Sequence, residues 1–487
     1  MNAPWTTAEP RRPETPAAPA DRPPTAPTDG SATAPPHRSA GAPGARPAAA
    51  VPGARPTAPA VDREAVRERD RRHVWHTWTP LAADRSALTV SHGAGHQVWD
   101  IDGRAYVDAS ALNSTCGYAH PDVLRAIVDQ ASRLHHFDLS VAGHRPAGLL
   151  AERLAGHLPA DMTKTLFVNS GSEGFDAALM MAVSYWAHLG RPRSRVVTFA
   201  RSYHGATLLS RSLSTLPRNR HLLAEPLPVT RVELPLEARE LRHADARPAL
   251  LAAFEQAIGH DPDDLPAAVV VEPFLNVGGA VVLPPGFLRE LRALCDATGT
   301  LLVLDEVFTA YGRCGAMFAT LREGVTPDIL VSSKGLSGGY VPIAAVTVRQ
   351  RVHDTFDRDP VIGGLRYGHT TSGHAVACAA ALATLDVLER QRLPERAERL
   401  GADLLRRLSP LADAPGVVDV RGLGLILVVE MAAPEPATDV LVRARENGLL
   451  LRQVGAAVMA VPPLVIDDEG ATAVVDGLYE AVSAAAG

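Results

Sequence analysis

Apolar residues come in short unbroken runs along much of this chain, and the runs alternate with longer amphipathic stretches. The clearest run is 301–304, Leu-Leu-Val-Leu, followed at once by Asp305 and Glu306. A run without polar alternation predicts a central strand of a parallel sheet, covered on both faces. Runs at 165–168, 196–199, 267–271 and 329–331 predict further strands. Helical periodicity predicts helices over 174–189, 288–298 (closed by Gly299) and 375–388. This alternation predicts an α/β fold with a mostly parallel sheet.

Open sheets of this kind hold ligands at the carboxyl ends of their strands. Asp305 and Glu306 stand there, where carboxylates are costly to bury without partners. The 329–331 run leads through Ser332 and Ser333 to Lys334, which lies 334 − 305 = 29 residues after Asp305. That spacing predicts one strand–helix–strand unit, with both side chains at neighbouring strand ends.

The two chain ends carry smaller elements. A short charged helix is expected from Val61-Asp62 onward, and a hairpin over 98–108 turning at Asp102-Gly103. A helix is expected from Pro121. Near the carboxyl end the pattern predicts a strand over 425–430 and a helix over 437–446. A hairpin of 448–452 with 458–464 completes that end. Trp75 and Trp78 sit close together in a chain with five tryptophans, either as packing anchors or as an aromatic wall over a pocket.

With 487 residues, 46% of them hydrophobic, the chain can bury a large core and form more than one domain. A net charge of -6 gives no electrostatic footprint for nucleic acid. Cys116, Cys295, Cys314 and Cys378 have neither metal-ligand spacing nor a disulfide pattern, so a cytoplasmic location is expected. His135, His136 and His144 read as ordinary polar contacts, and no metal is expected. No stretch predicts a membrane span. Residues 1–62 are rich in Pro, Ala, Thr, Gly and Arg and predict a disordered tail. That tail has no signal-peptide core, and its prolines and the acids Glu9, Glu14, Asp21 and Asp29 argue against a transit peptide.

The Asp305/Lys334 pair suits pyridoxal phosphate chemistry. A lysine amine forms a Schiff base with the cofactor aldehyde, and an acid keeps the pyridine nitrogen protonated. The alternative is a helix-capping aspartate and a solvated lysine. Gly171 and Ser172 open a predicted helix, where free N–H groups bind a phosphate, though simple capping needs the same residues. Tyr203 ends a strand as a candidate for stacking on a flat ring. Thr370, in a glycine-flanked polar loop, offers the phosphate another hydroxyl.

The ordered motifs GYAHP, NSGSE, SYHG, VVVEP, LLVLDEV, GRCG, PDILVSSKGLSGG and GHTTSGH carry a resemblance. From about His73 to its end the chain resembles the class III (ω-type) pyridoxal-phosphate-dependent aminotransferases of fold type I. It is nearest to the ω-amine:pyruvate and diaminopelargonate aminotransferases. The resemblance implies a large cofactor-binding domain plus a smaller α+β domain built from both chain ends. Expected boundaries are 63–115 for the first part of the small domain, 116–375 for the large domain, and 376–487 for an interdomain helix and the rest of the small domain. It implies Lys334 as the Schiff-base lysine and Asp305 on the pyridine nitrogen. Tyr203 and Val307 would flank the ring, Gly171 and Ser172 would bind the phosphate, and His204 and Glu272 would complete the cofactor set. Thr370 would reach the phosphate of a neighbouring subunit, which implies a homodimer with shared sites.

Several positions depart from the family pattern. Phe308 stands where ornithine-type members carry a glutamine, Asn276 replaces another glutamine in a run one residue short, and Cys314 replaces a threonine. The resemblance implies that all three lie near the substrate. Met459 occupies the place of a carboxylate-binding arginine three residues before Pro462. Arg452 lies 462 − 452 = 10 residues before Pro462, the placement of the mobile arginine in ω-amine:pyruvate aminotransferases. A guanidinium there binds a carboxylate bidentately and swings aside for an apolar partner. A solvent-facing arginine is the plainer alternative, with Arg366 as a weak substitute for the carboxylate. Trp78 is the second substrate-side candidate. The implied activity is amino transfer from an amine or amino acid to an oxo acid or aldehyde, in specialised biosynthesis. Diaminopelargonate formation, an aminomutase or racemase of the same fold, and a non-enzymatic scaffold are the alternatives.

Overall fold

The computed structural model describes residues 62–81, 88–216 and 225–485. The expected disordered tail, apart from Asp62, lies outside them. Asp62 caps the first helix, Arg63–His73, by accepting from the Ala65 amide.

The centre is a seven-stranded sheet in the order Met162–Val168, Ala344–Arg349, Ile329–Ser332, Leu301–Asp305, Ala268–Val271, Val196–Phe199 and Val229–Val232. Every pairing from Ile329–Ser332 to Val229–Val232 is parallel, while Ala344–Arg349 runs antiparallel to both of its neighbours. The Leu301 strand is the middle strand, and Leu301 to Leu304 are fully buried. Leu301 and Val303 pack with Phe175, Ala178 and Ala182 of the Gly171–His188 helix. Leu302 and Leu304 pack on the other face with Phe254, Phe287 and Leu291. Burial on both faces explains the unbroken apolar run; each such side chain stabilises the fold by about 1.5–3 kcal/mol.

Three local expectations needed correction. The helix expected from Gly174 begins at Gly171, capped by Ser170 Oγ, which accepts from the Glu173 amide at 3.3 Å. The link from Asp305 to Ile329 is not a helical crossover, because its only helix is the single turn Thr320–Glu323. Glu306 ties that link down instead, accepting from the amides of Ala319 (2.6 Å) and Thr320 (2.8 Å) and from Thr309 Oγ1 (3.0 Å). The carboxyl-terminal hairpin is confined to Arg452–Val454 and Ala457–Ala460. Leu449–Leu450 leaves it to pair in parallel with Ala105–Asp108.

That last pairing joins the chain ends. Val90–Ala94, Gln97–Asp100, Ala105–Asp108 and Leu449–Leu450 form one four-stranded sheet. Val417–Gly422, Leu427–Met431, Ala457–Ala460 and Arg452–Val454 form a second, antiparallel one. The smaller α+β portion is thus built from both ends and brings Arg452 to the mouth of the central cavity. No helix among the described residues is long and apolar enough to cross a membrane.

Candidate active site

A cavity of about 650 Å³ lies at the carboxyl ends of the parallel strands, and both Asp305 and Lys334 line it. Asp305 ends the middle strand and Lys334 follows the neighbouring one. Asp305 is 6% exposed. Its Oδ2 is 2.7 Å from Nδ1 of His204, and its Oδ1 accepts from the Val307 amide at 3.0 Å. His204 is buried against the Phe175 ring at 4.8 Å.

Lys334 makes no hydrogen bond or ion pair with any described residue and faces the cavity. Burial lowers the pKa of its ammonium, Asp305 and Glu272 pull it back up, and Arg452 lowers it further. A neutral amine is therefore more accessible here than on a surface lysine. The next residue is glycine for a steric reason: a Cβ at 335 would lie 2.9 Å from Thr115 Cγ2.

Glu272 holds two loops at the cavity wall. Its Oε1 accepts from the Tyr203 amide at 2.9 Å and its Oε2 from the Asn276 amide at 3.1 Å. Burial pushes its carboxyl up to about 7, with His204 opposing and Asp305 adding to the rise. Tyr203 is fixed as a cavity wall, and the Trp78 ring meets it edge-on at 6.2 Å.

Gly171 and Ser172 line the cavity at the start of an 18-residue helix, where unpaired amides and the helix dipole favour an anion. Gly205 lets the 203–206 loop close on them, since a Cβ there would lie 2.7 Å from Ser172 Oγ. Ser172 Oγ accepts from the Ala206 amide at 3.1 Å. Gly171 brings the helix start against Val307, whose Cγ2 would be 2.9 Å from an added Cβ.

A model of the family described as aminotransferase class-III matches residues 80–482. The chain is a class III aminotransferase. It is 36% identical over 435 residues to an adenosylmethionine-8-amino-7-oxononanoate aminotransferase of Nitratidesulfovibrio vulgaris, covering 83% of this chain and 79% of that one. It is 34% identical over 415 residues to an omega-aminotransferase of Caulobacter vibrioides, covering 81% and 93%. Among solved structures, an amine transaminase from an uncultivated Pseudomonas species in the PLP-bound (internal aldimine) form aligns with a TM-score of 0.80 at 31% identity, over 85% of this chain and 99% of that one. This aminotransferase therefore has the fold type I architecture, a pyridoxal 5'-phosphate cofactor, and amino and oxo substrates.

The cavity fits that cofactor. An unpartnered lysine amine, a buried carboxylate, an anion-binding helix start and an aromatic wall converge on one space large enough for it and a substrate. Gly171, Ser172, Tyr203, His204, Glu272, Val307 and Arg452 join Asp305 and Lys334 along this wall.

Three other candidates lie elsewhere. Thr370 is exposed and does not line the cavity of its own chain. Trp78 does not line the cavity itself but meets the wall residue Tyr203 edge-on, and Trp75 and Trp78 are 85% and 55% exposed on this chain. Arg366 pairs with Asp359 at 2.9 Å, away from this cavity. Of the departures, Phe308 and Asn276 line the cavity, whereas Cys314 is buried outside it and only its backbone engages Arg322. His144 caps the Arg145–His157 helix, and His136 stacks on His374 at 5.4 Å.

Sequence reasoning missed Phe274, Asp108 and Tyr118 as wall residues. Phe274 packs against Phe308 at 5.9 Å, with Met459 fully buried in the same apolar cluster. Asp108 ends a strand and accepts from Tyr118 Oη at 2.5 Å and from the Ser110 amide at 2.9 Å, which folds the 110–113 loop along the cavity. The strand-end carboxylate was the available signal.

Proposed function

We propose that this chain transfers an amino group between a carboxylate-bearing partner and an apolar amine or aldehyde, using Lys334 as the covalent lysine. The observation that carries this is the unpartnered Lys334 amine, in one cavity with the Asp305–His204 pair. When bound, the cofactor supplies an aldehyde that condenses with amines and a ring that takes up negative charge from the substrate carbon.

The chain's own groups do the rest. Lys334 Nζ, as a neutral amine, would move the proton to and from the reacting carbon. Asp305 would hold a proton on the ring nitrogen. Tyr203 and Val307 would flank the ring, and the Gly171 and Ser172 amides would hold the phosphate. Glu272 keeps Tyr203 in place. Thr370, exposed on its own chain, serves the phosphate of a second copy, so the working unit is a homodimer with shared sites. The four cysteines are free and buried, which supports a cytoplasmic location.

Arg452 is the carboxylate-binding group. It lines the cavity and donates from Nη1 to the Ser110 carbonyl at 3.3 Å. Phe274, Phe308 and Leu112 supply an apolar wall for the other partner. Specialised biosynthesis suits that pairing. The relatives that act on 8-amino-7-oxononanoate favour a second reading, amination of that oxo acid.

The deciding experiment is a panel of amino donors crossed with oxo acids and aldehydes, read by mass spectrometry. The panel includes S-adenosylmethionine with 8-amino-7-oxononanoate. Amino transfer to an apolar aldehyde or from an apolar amine supports the first reading. Turnover confined to the 8-amino-7-oxononanoate pair replaces it with the second, and rearrangement of a single substrate without a partner overturns both.

A further inference from the structure

Behind the cavity wall, Thr198, Ser202, His204 and Asp305 form one line of buried side chains. Thr198 and Ser202 are 0% exposed, and His204 and Asp305, which also line the cavity, are 3% and 6% exposed. Asp305 Oδ2 lies 2.7 Å from His204 Nδ1. Nε2 of the same ring lies 3.2 Å from Thr198 Oγ1. Thr198 Oγ1 in turn lies 3.3 Å from Ser202 Oγ.

The protons along this line can be counted. The Ser202 hydroxyl faces the Phe199 carbonyl at 2.9 Å and the Leu213 carbonyl at 3.5 Å, and both only accept. Ser202 therefore donates to a carbonyl and has lone pairs left for Thr198. Asp305 accepts, so Nδ1 carries a hydrogen. Thr198 has one proton and two acceptors in reach, Nε2 and Ser202 Oγ. When it donates to Nε2, His204 is neutral. When it turns to Ser202, its lone pair faces Nε2, which must then also carry a hydrogen, and His204 is a cation. Every group in this line is satisfied in both states.

We infer that Thr198 is a positioning residue whose hydroxyl turns between His204 and Ser202, letting His204 take up or release a proton without orphaning a buried group and so setting the charge behind Asp305. Thr198 lies outside the quoted motifs, and Ser202 opens SYHG. The other ionisable groups around the pair are Glu272 from the end of the Ala268 strand, Glu306 beside Asp305, Lys334 across the cavity, and Arg452 acting on Lys334. A cationic His204 offsets the Asp305 carboxylate; a neutral one leaves it uncompensated. The consequence for the cofactor rests on the reading of Asp305 as its ring-nitrogen partner.

The test compares Thr198→Val, Ser202→Ala and Thr198→Ser in the full-length, cofactor-loaded protein. Labelled histidine nitrogens are read by NMR, the His204 signals being those lost in His204→Gln. Val leaves Nε2 without a partner, and Ser202→Ala leaves the Thr198 proton without one in the cationic state. Both should lower the ratio of doubly to singly protonated His204 about tenfold, the size of an unmade buried hydrogen bond. Thr198→Ser should keep the wild-type ratio. Cofactor absorbance against pH should shift upward in the first two variants, because the uncompensated Asp305 carboxylate favours the cationic chromophore.

An unchanged ratio in Ser202→Ala, or equal changes in Thr198→Val and Thr198→Ser, overturns the inference. If Thr198→Val does not fold, Ser202→Ala and Thr198→Ser decide it. A changed ratio with unmoved absorbance upholds the hydroxyl switch and overturns the role given to Asp305, so the two failures are distinguishable.

Discussion

Asp305 stands opposite Val331 in the parallel ladder between the two central strands. Lys334 leaves the end of the same strand that carries Val331, so the register of two fully buried strands sets the lysine–aspartate relationship. A slip by one residue would turn Asp305 into the sheet's packed face. The site's precision comes from the sheet, and its loops are pinned afterwards by Glu272 and Glu306.

Glu306 gives a prediction about stability. Burial holds its carboxyl up at about 7, against 4.5 for an unperturbed glutamate. Between those values the native chain keeps a proton that the unfolded chain has released. This contribution is complete below the lower value and is lost as pH rises through the upper one. Glu306→Gln should make the fall in unfolding free energy less steep across that window, by about 1.4 kcal/mol per pH unit. Denaturant titrations at several pH values measure it; an unchanged slope would mean that Glu306 is ionised throughout.

Arg452 should matter to only one of the two half-reactions. Its side chain is within reach of Ser110 and the cavity, and a charged hydrogen bond is worth about 1.5–3 kcal/mol. Arg452→Ala should lower kcat/KM roughly 10- to 200-fold for amino or oxo acids and leave an apolar amine nearly untouched. Stopped-flow traces of each half-reaction separate the cases. Equal losses in both would make Arg452 a structural residue.

Thr370 tests the shared site. Thr370→Ala should leave the oligomer's mass unchanged in light scattering and weaken cofactor affinity about 10-fold or more, as expected for one hydrogen bond to a charged phosphate. Full cofactor affinity in the variant would remove Thr370 from the site, and an active wild-type monomer would remove the partner subunit.

The sequence made the central strands and their chemistry legible because two-sided burial writes an unbroken apolar run; Asp305 and Glu272 follow such runs directly, and Lys334 follows one after two serines. Other features depended on contacts between distant segments. The Gly171-Ser172 turn reads as lying just ahead of a helix that starts at Gly174, yet the helix begins at Gly171 itself, where it lies close against Val307. Ala344–Arg349 gave no strong signal, although it forms a buried antiparallel strand between two others. Leu449 and Leu450 looked like part of a local hairpin, but their partners, Val107 and Asp108, lie more than 300 residues earlier. Cys314 matched a motif position without reaching the cavity, whereas Phe274 reached it without a motif.

The central claim is that Lys334 carries the cofactor, and borohydride reduction of the purified protein followed by peptide mapping tests it most directly. The account predicts a yellow protein bleached by reduction, with a single stable adduct on Lys334. It also predicts that Lys334→Ala binds cofactor without turning over. An adduct on Lys164, or no adduct in a protein that transfers amino groups, would contradict it.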